Sequence, residues 1–197
     1  MTTTAERVTP VRNRCDLPAA ETAAAMLLSA LGVDLSAPGL ARTPLRMAQA
    51  YAEMLTPRDF EPTTFDNDEG YDELVVARSI PLRSLCEHHL LPFVGVAHVG
   101  YLPGDRILGL SKLARVVELF AARVQVQERL TKQVADWLQA RLHPRGVGVV
   151  VEAEHLCMSL RGVQAAGART VTSALLGSVR DDARTRAEFL AVAGHAR

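Results

Sequence analysis

The first residues in this chain that could do chemistry together are Cys86-Glu87-His88-His89. A thiolate and an imidazole this close can converge on one ion if the chain turns between them, and sulfur combined with imidazole nitrogen suits zinc. Taken alone, the tetrapeptide is also typical of a buried cysteine beside surface histidines. A metal site is indicated only if a second cluster lies nearby.

His155-Leu156-Cys157 is such a cluster, because it follows the apolar run 147–153, which predicts a strand. Residues two apart on an extended chain face the same side. If the strands that end in the two clusters are neighbours in one sheet, the candidate ligands are Cys86, His88, His89, His155 and Cys157. Four such ligands would close a structural zinc site, whereas three would leave a catalytic position open and spare two histidines for proton transfer. Spacing does not decide which histidine does which. Cys15 has no histidine near it and is interpreted as a bystander.

Basic residues follow both clusters. Ser111-Lys112 with Arg115 one helical turn later, and Arg161 beside Gly162, would place positive charge and backbone donors at helix and strand ends. Such places bind phosphate groups. The alternative for Lys112 and Arg115 is an ordinary solvated face.

The segment 125–129 offers a carboxylate, Glu128, next to an amide, Gln127. A buried carboxylate and its amide neighbour could accept the ring N–H and amino donors of a guanine. The alternative is an ordinary helical surface.

Periodicity predicts the elements that must position these side chains. The predicted order is a helix over 18–31, a helix from Thr43 to Pro57, a loop over 57–72, strands over 74–86 and 93–102, a helix capped by Ser111, a helix over 126–142, strands over 147–153 and 169–176, and a helix over 182–192. The core order is therefore strand, strand, helix, helix, strand, strand, which indicates an α+β fold. We expect a mobile segment over 1–16, a helical region over 17–56 and the catalytic domain over 57–197.

Composition excludes several classes of protein. The 197 residues carry 22 basic and 22 acidic side chains, so net charge gives no reason to expect a nucleic acid or an anionic membrane as partner. The three cysteines are widely spaced, which argues against a disulfide framework. No apolar run approaches the roughly 20 residues of a membrane span, and the first residues lack a signal-peptide pattern. We expect a soluble, cytoplasmic protein.

In their order along the chain, these segments resemble the GTP cyclohydrolase I family. The matching stretches, spread over residues 20–193, are 84–95 (SLCEHHLLPFVG), 100–103 (GYLP), 109–115 (GLSKLAR), 125–131 (QVQERLT), 155–162 (HLCMSLRG), 170–174 (TVTSA) and 186–190 (RAEFL). The resemblance implies the tunnelling fold, in which an antiparallel sheet carries two helices on one face and subunits assemble into rings. It also implies a homodecamer of two pentamers with active sites at subunit interfaces.

The resemblance further implies an activity and residue roles. The activity is hydrolytic opening of the guanine imidazole ring of GTP, giving formate and 7,8-dihydroneopterin triphosphate, the first step of folate and pterin biosynthesis. Zn2+ would be held by Cys86, His89 and Cys157, with a metal-activated water as the attacking group. His88 and His155 would move protons, and His155 is expected to protonate nitrogen 7 of the base. The implied substrate contacts are Glu128 and Gln127 for guanine, Lys112, Arg115 and Arg161 for the triphosphate, Ser111 near the ribose, and Arg46 reaching the triphosphate of a neighbouring subunit's site.

Two positions depart from the family pattern, Ala122 before Arg123 and the segment 177–179 (GSV), and neither is a proposed ligand or catalytic residue. Two other functions fit the fold. A zinc-stabilised binding module would need a fourth protein ligand or the loss of a proton donor. A tunnelling-fold nitrile reductase would use a cysteine nucleophile without zinc, and the paired Cys/His clusters argue against it.

Overall fold

The structure, a computed structural model, describes residues 15–194. These residues form two compact units that divide between Thr56 and Pro57. The predicted mobile segment falls mostly on residues 1–14, which lie outside the described part. No helix in the described part is both long enough and apolar enough to span a bilayer.

The N-terminal unit consists of two helices packed against each other, α1 (Leu17–Ala30) and α2 (Thr43–Met54). Asp16 caps α1 by accepting a hydrogen bond from the backbone N–H of Ala19. Pro44 stands in the first turn of α2, where a missing N–H costs nothing. Both helices agree with the ranges predicted from the sequence.

The second unit carries the sheets and the remaining helices. Its elements are β1 (Thr64–Asp66), β2 (Val75–Cys86), β3 (Pro92–Leu102), β4 (Arg106–Leu108), α3 (Leu110–Ala121), β5 (Val124–Gln125), α4 (Gln127–Leu142), β6 (Gly146–His155), α5 (Leu156–Ser159), β7 (Arg169–Gly177), α6 (Ser178–Asp181) and α7 (Ala183–Val192). The main sheet has the order β5-β2-β3-β6-β7, antiparallel except for the short parallel pair β2/β5. This is the predicted strand-strand-helix-helix-strand-strand arrangement, and the α+β tunnelling fold is confirmed.

Alternation along β6 divides the core between the two faces of the sheet. Val149 and Val151 belong to the large cluster that includes the apolar residues of α3 and α4, whereas Val150 packs with Phe189 of α7. Gly148 leaves room for that ring, since a Cβ there would lie 2.6 Å from Phe189. Helices α3 and α4 therefore cover one face, as predicted, and α7 covers part of the other.

Three local predictions were wrong. Ser111 does not cap α3, because the helix begins at Leu110 with Gly109 as its N-cap, two residues before the predicted cap. The predicted loop 57–72 contains β1, which pairs with β4 in a two-stranded sheet. The predicted order also left out β5, a short strand between α3 and α4 that adds to the edge of the main sheet.

Candidate metal centre and active site

The two Cys/His clusters meet at one end of the main sheet. Strand β2 ends at Cys86, and β6 ends at His155, which lies opposite Phe93 of β3. The sequence analysis assumed that these two strands are neighbours in the sheet. They are not, because β3 runs between β2 and β6. The clusters still meet, since the turn from β2 to β3 and the start of α5 lie at the same end.

A tight turn presents the first cluster. The N–H groups of His89 and Leu90 both donate to the carbonyl of Cys86, at 3.3 and 2.8 Å, and the N–H of Cys86 donates to the carbonyl of Leu91 at 2.9 Å. Leu90 closes the turn with a φ of 53°, a left-handed conformation that a leucine rarely adopts. We call residues 86–91 the metal turn.

Cys86, His89 and Cys157 each offer one ligand atom, and these atoms lie within 4.8 Å of one another. The Sγ of Cys86 is 3.8 Å from Nδ1 of His89. In a tetrahedral zinc site of ordinary bond lengths, ligand atoms lie about 3.5–3.8 Å apart, so a small contraction would accommodate the ion. Burial raises the pKa of the Cys157 thiol, and the nearby Cys86 raises it further. A cation between the two sulfurs would remove that penalty, so the donor set fits zinc.

His88 and His155 flank this cluster. Nδ1 of His88 lies 3.8 Å from the Sγ of Cys86, on the exposed side of the metal turn. His155 is half-buried and stacks on Phe93, with ring centroids 4.7 Å apart and planes 11° from parallel. Burial lowers the pKa of His155, and the negative charge of Glu128 offsets part of that effect. The charge of Glu128 therefore acts on His155. The Glu128 side chain is exposed, whereas the guanine contact considered from the sequence assumed a buried carboxylate.

Gln127 is 1% exposed and its side-chain amide is fully engaged. Its Nε2 donates to the carbonyls of Val151 and Thr170 at 3.1 and 2.9 Å, and to the hydroxyl of Thr172 at 3.1 Å. Its Oε1 contacts Nε2 of His155 at 2.8 Å. Carbonyl oxygens only accept, so the amide orientation is fixed and Nε2 of His155 must donate. Gln127 thus holds His155, and the guanine contact expected from the sequence does not fit its buried position.

The cationic residues are placed differently from one another. Arg161 is exposed, and its Nη1 lies 3.3 Å from Nε2 of His89, directly at the metal cluster. Ser111, Lys112 and Arg115 lie on the first two turns of α3. Arg46 is an exposed residue of α2, in the other compact unit.

Arg115 donates to Glu118 at 3.1 Å. Arg58 pairs with the same carboxylate. Burial raises the pKa of Glu118, but its hydrogen bonds to these two arginines and their positive charges outweigh burial and lower the pKa. Arg115 is therefore already paired with Glu118, and this carboxylate would compete with a triphosphate for the guanidinium. The sequence did not predict this competition.

Similarity to known proteins shows the family to which this chain belongs. The family model for GTP cyclohydrolase I matches residues 20–194. The chain belongs to the GTP cyclohydrolase I family. The resemblance inferred from the motifs is thereby confirmed.

Curated relatives named GTP cyclohydrolase 1 agree with this family. The protein of Mycobacteroides abscessus is 54% identical over 186 residues, covering 92% of this chain and 91% of its own length. That of Mycobacterium ulcerans is 56% identical over 180 residues, with 89% of each chain covered. That of Thermobifida fusca is 53% identical over 182 residues, covering 89% of this chain and 87% of its own.

Among solved structures, the archaeosine synthase QueF-Like in the apo form is 20% identical. Its TM-score is 0.42, and the match covers 53% of this chain and 93% of that one. The similarity is too low to support an argument about the site. We therefore assign roles to residues of this member of the GTP cyclohydrolase I family from the geometry of its own site.

Proposed function

We propose that this chain hydrolyses the imidazole ring of the guanine base of GTP, releasing formate and giving 7,8-dihydroneopterin triphosphate, in keeping with its membership of the GTP cyclohydrolase I family. The observation that carries the proposal is the gathering of Cys86, His89 and Cys157 within 4.8 Å, flanked by two further histidines. Three ligands are the number that catalytic zinc sites use, whereas structural sites use four. The binding-module alternative has no such support among the residues described.

The proposed metal is Zn2+, held by the two thiolates and the imidazole of His89. When bound, zinc would supply Lewis acidity that makes water a nucleophile near neutral pH. His89 points Nδ1 towards Cys86, and its Nε2 faces Arg161. Arg161 would therefore contact both the metal ligand His89 and the triphosphate.

His155 is the proposed proton donor to nitrogen 7 of the base. Because Nε2 donates to Gln127, the neutral ring carries its proton there and leaves Nδ1 free to take and give a second proton. The stacked ring of Phe93 fixes the plane of the imidazole. His155 is thus held through its Nε2 edge and through one face of its ring. This fixes the direction in which Nδ1 can transfer a proton. His88, on the other side of Cys86, is proposed to serve the later transfers that expel formate.

Substrate contacts are proposed from charge and position. Glu128 would accept the N–H donors of guanine, because it is exposed and its negative charge acts on the neighbouring His155. The triphosphate would bind Lys112, Arg115 and Arg161, with the hydroxyl of Ser111 near the ribose. Remote charge of this kind aligns the base without taking part in the reaction.

Assembly and cellular location also belong to the proposal. We propose a homodecamer of two pentamers, in which Arg46 reaches the triphosphate in a neighbouring subunit's site, and a cytoplasmic enzyme. The exposed edge of β7 supports ring assembly, since an unpaired sheet edge is normally covered.

The proposal is tested by incubating the zinc-loaded protein with GTP and measuring formate and a fluorescent pterin. Both products should appear in equal amounts. A protein that releases neither, or that cleaves phosphate from GTP without formate, would reject it.

A further inference from the structure

The site is built from two segments that are far apart along the chain. The metal turn carries Cys86, His88 and His89, whereas the start of α4 carries Gln127 and Glu128. In the proposed function the metal turn would hold zinc, and the start of α4 would hold the guanine base. The relative position of the two segments therefore decides whether water and base are aligned.

One side chain ties these segments together. Arg129, immediately after Glu128, forms an ion pair through Nη2 with the carboxylate of Glu87 in the metal turn. Its Nε donates to Oε1 of Gln125 at 2.9 Å. The guanidinium thus bridges two partners with its planar fork, which a lysine could not reproduce.

Gln125 gives this bridge a rigid base. It is 2% exposed, and its Nε2 donates to the carbonyl of Phe120 at 3.0 Å and to Oε1 of Gln133 at 2.7 Å. Its backbone carbonyl accepts from the N–H of Glu87 at 3.0 Å. Glu87 is therefore held twice by the same short segment, once through its backbone and once through Arg129.

The carboxylate of Glu87 also faces a histidine. Its Oε1 lies 3.9 Å from Nε2 of His88, while Arg129 contacts Oε2. The side chains of Arg129 and Glu87 are 45% and 34% exposed, and an ion pair so exposed contributes little to folding stability. We therefore expect the Arg129–Glu87 pair to affect the relative position of the metal turn and α4 rather than folding stability.

We propose that Arg129 is a positioning residue, which holds the metal turn and His88 in register with the guanine-binding start of α4 through Glu87 and Gln125. Its side chain contacts Glu87 and Gln125, and neither of these is a proposed metal ligand. The proposal rests on the proposed function for its kinetic consequence, but its effect on metal binding is independent of turnover.

The test compares Arg129→Met with Lys132→Met. Lys132 lies on the same helix and pairs with the exposed Asp136, so each variant removes one positive charge from α4 and one exposed ion pair. We expect Arg129→Met to lower Co2+ affinity about tenfold, as supporting residues around metal sites usually do. At saturating zinc we expect kcat to fall about 10- to 100-fold with little change in KM for GTP. Lys132→Met should match the wild type in all three.

Two further variants identify the partner. Arg129→Lys should recover part of kcat, because it keeps the charge but only one of the two contacts. Adding Glu87→Gln to Arg129→Met should lower kcat by less than the product of the two single effects, since both changes break the same ion pair.

Several results would overturn the proposal. One is Arg129→Met matching Lys132→Met in both kcat and Co2+ affinity. Another is a drop in the melting temperature of Arg129→Met large enough to account for its lost activity, which would indicate a merely structural role. If the wild type does not turn over GTP, the proposed function fails, and Co2+ affinity alone then decides the role of Arg129.

Discussion

Replacing Gln127 with methionine tests how the proton donor is held. Methionine has a similar length and volume but offers no amide, so the change removes the donations to two sheet carbonyls and to Thr172, and the acceptance from His155. The carbonyls keep their places in the β6/β7 ladder, so the main loss falls on the Nε2–H of His155, which is half-buried. An unpaired buried polar group costs about 1–3 kcal/mol. With the lesser losses at the carbonyls, we expect unfolding to become easier by about 2–4 kcal/mol.

That change corresponds to a fall in melting temperature of about 5–15 °C for a chain of this size. Catalysis should fall as well, because His155 loses the contact that fixes its tautomer. We expect kcat to fall about 100-fold below the melting transition. Thermal melting and formate release measured on the same preparation would separate the two effects.

Thr131→Val is the matched control. Its hydroxyl donates to the carbonyl of Gln127 at 2.8 Å and contacts the hydroxyl of Thr172 at 2.6 Å, in the same buried network. This variant should lose about 1 kcal/mol of stability while leaving the bond to His155 and kcat intact. If Gln127→Met keeps the kcat of this control, Gln127 does not hold the proton donor.

Three further predictions address other parts of the site. His155→Ala should retain zinc and leave GTP unopened, whereas His88→Ala should retain zinc and let a formamide accumulate; chromatography of the reaction products distinguishes them, and normal turnover by His155→Ala would exclude its proposed role. Mixing Arg46→Ala subunits with Cys157→Ser subunits should restore part of the GTP turnover that each lacks alone, because a hybrid interface can hold one intact set; no recovery after verified subunit exchange would count against a shared site. Since the pKa of Glu118 is lowered in the folded state, its stabilising effect is present above the unfolded value of about 4.3 and is lost as pH falls through the lowered folded value, so Glu118→Gln should flatten the decline in melting temperature below about pH 4. An unchanged decline would show that Glu118 does not contribute to acid unfolding.

The sequence predicted the elements well because their signals are local. The apolar run 147–153 and the helical spacing of Leu130, Val134 and Leu138 can be read without knowledge of the rest of the chain. Ser111 was misplaced as a cap because Gly109 also satisfies a helix start, and one residue type does not decide between them. Local sequence patterns do not determine the order of strands in a sheet. The position of β3 between β2 and β6, the strands that end in the two clusters, was therefore not predicted.

The sequence predicted which cysteines and histidines lie together, but not the contacts around them. Gln127 was interpreted as a base-binding residue, although it shares the helical stripe of Leu130, Thr131 and Val134. That spacing was the signal that it points into the core. For Arg129 no comparable signal exists, because its partner Glu87 is 42 residues away in sequence and only the folded register brings them together.

The central claim is that Cys86, His89 and Cys157 form the zinc centre that opens the guanine ring. Its most direct test is to strip the protein of metal with a chelator, add zinc back in measured steps, and follow formate released from GTP. Formate release should rise in proportion to zinc and stop rising at about one zinc per chain, the occupancy of one three-ligand site. Cys157→Ser treated in parallel should gain neither zinc nor activity. Full formate release by the stripped protein, or by a Cys157→Ser protein that still holds its zinc, would contradict the account.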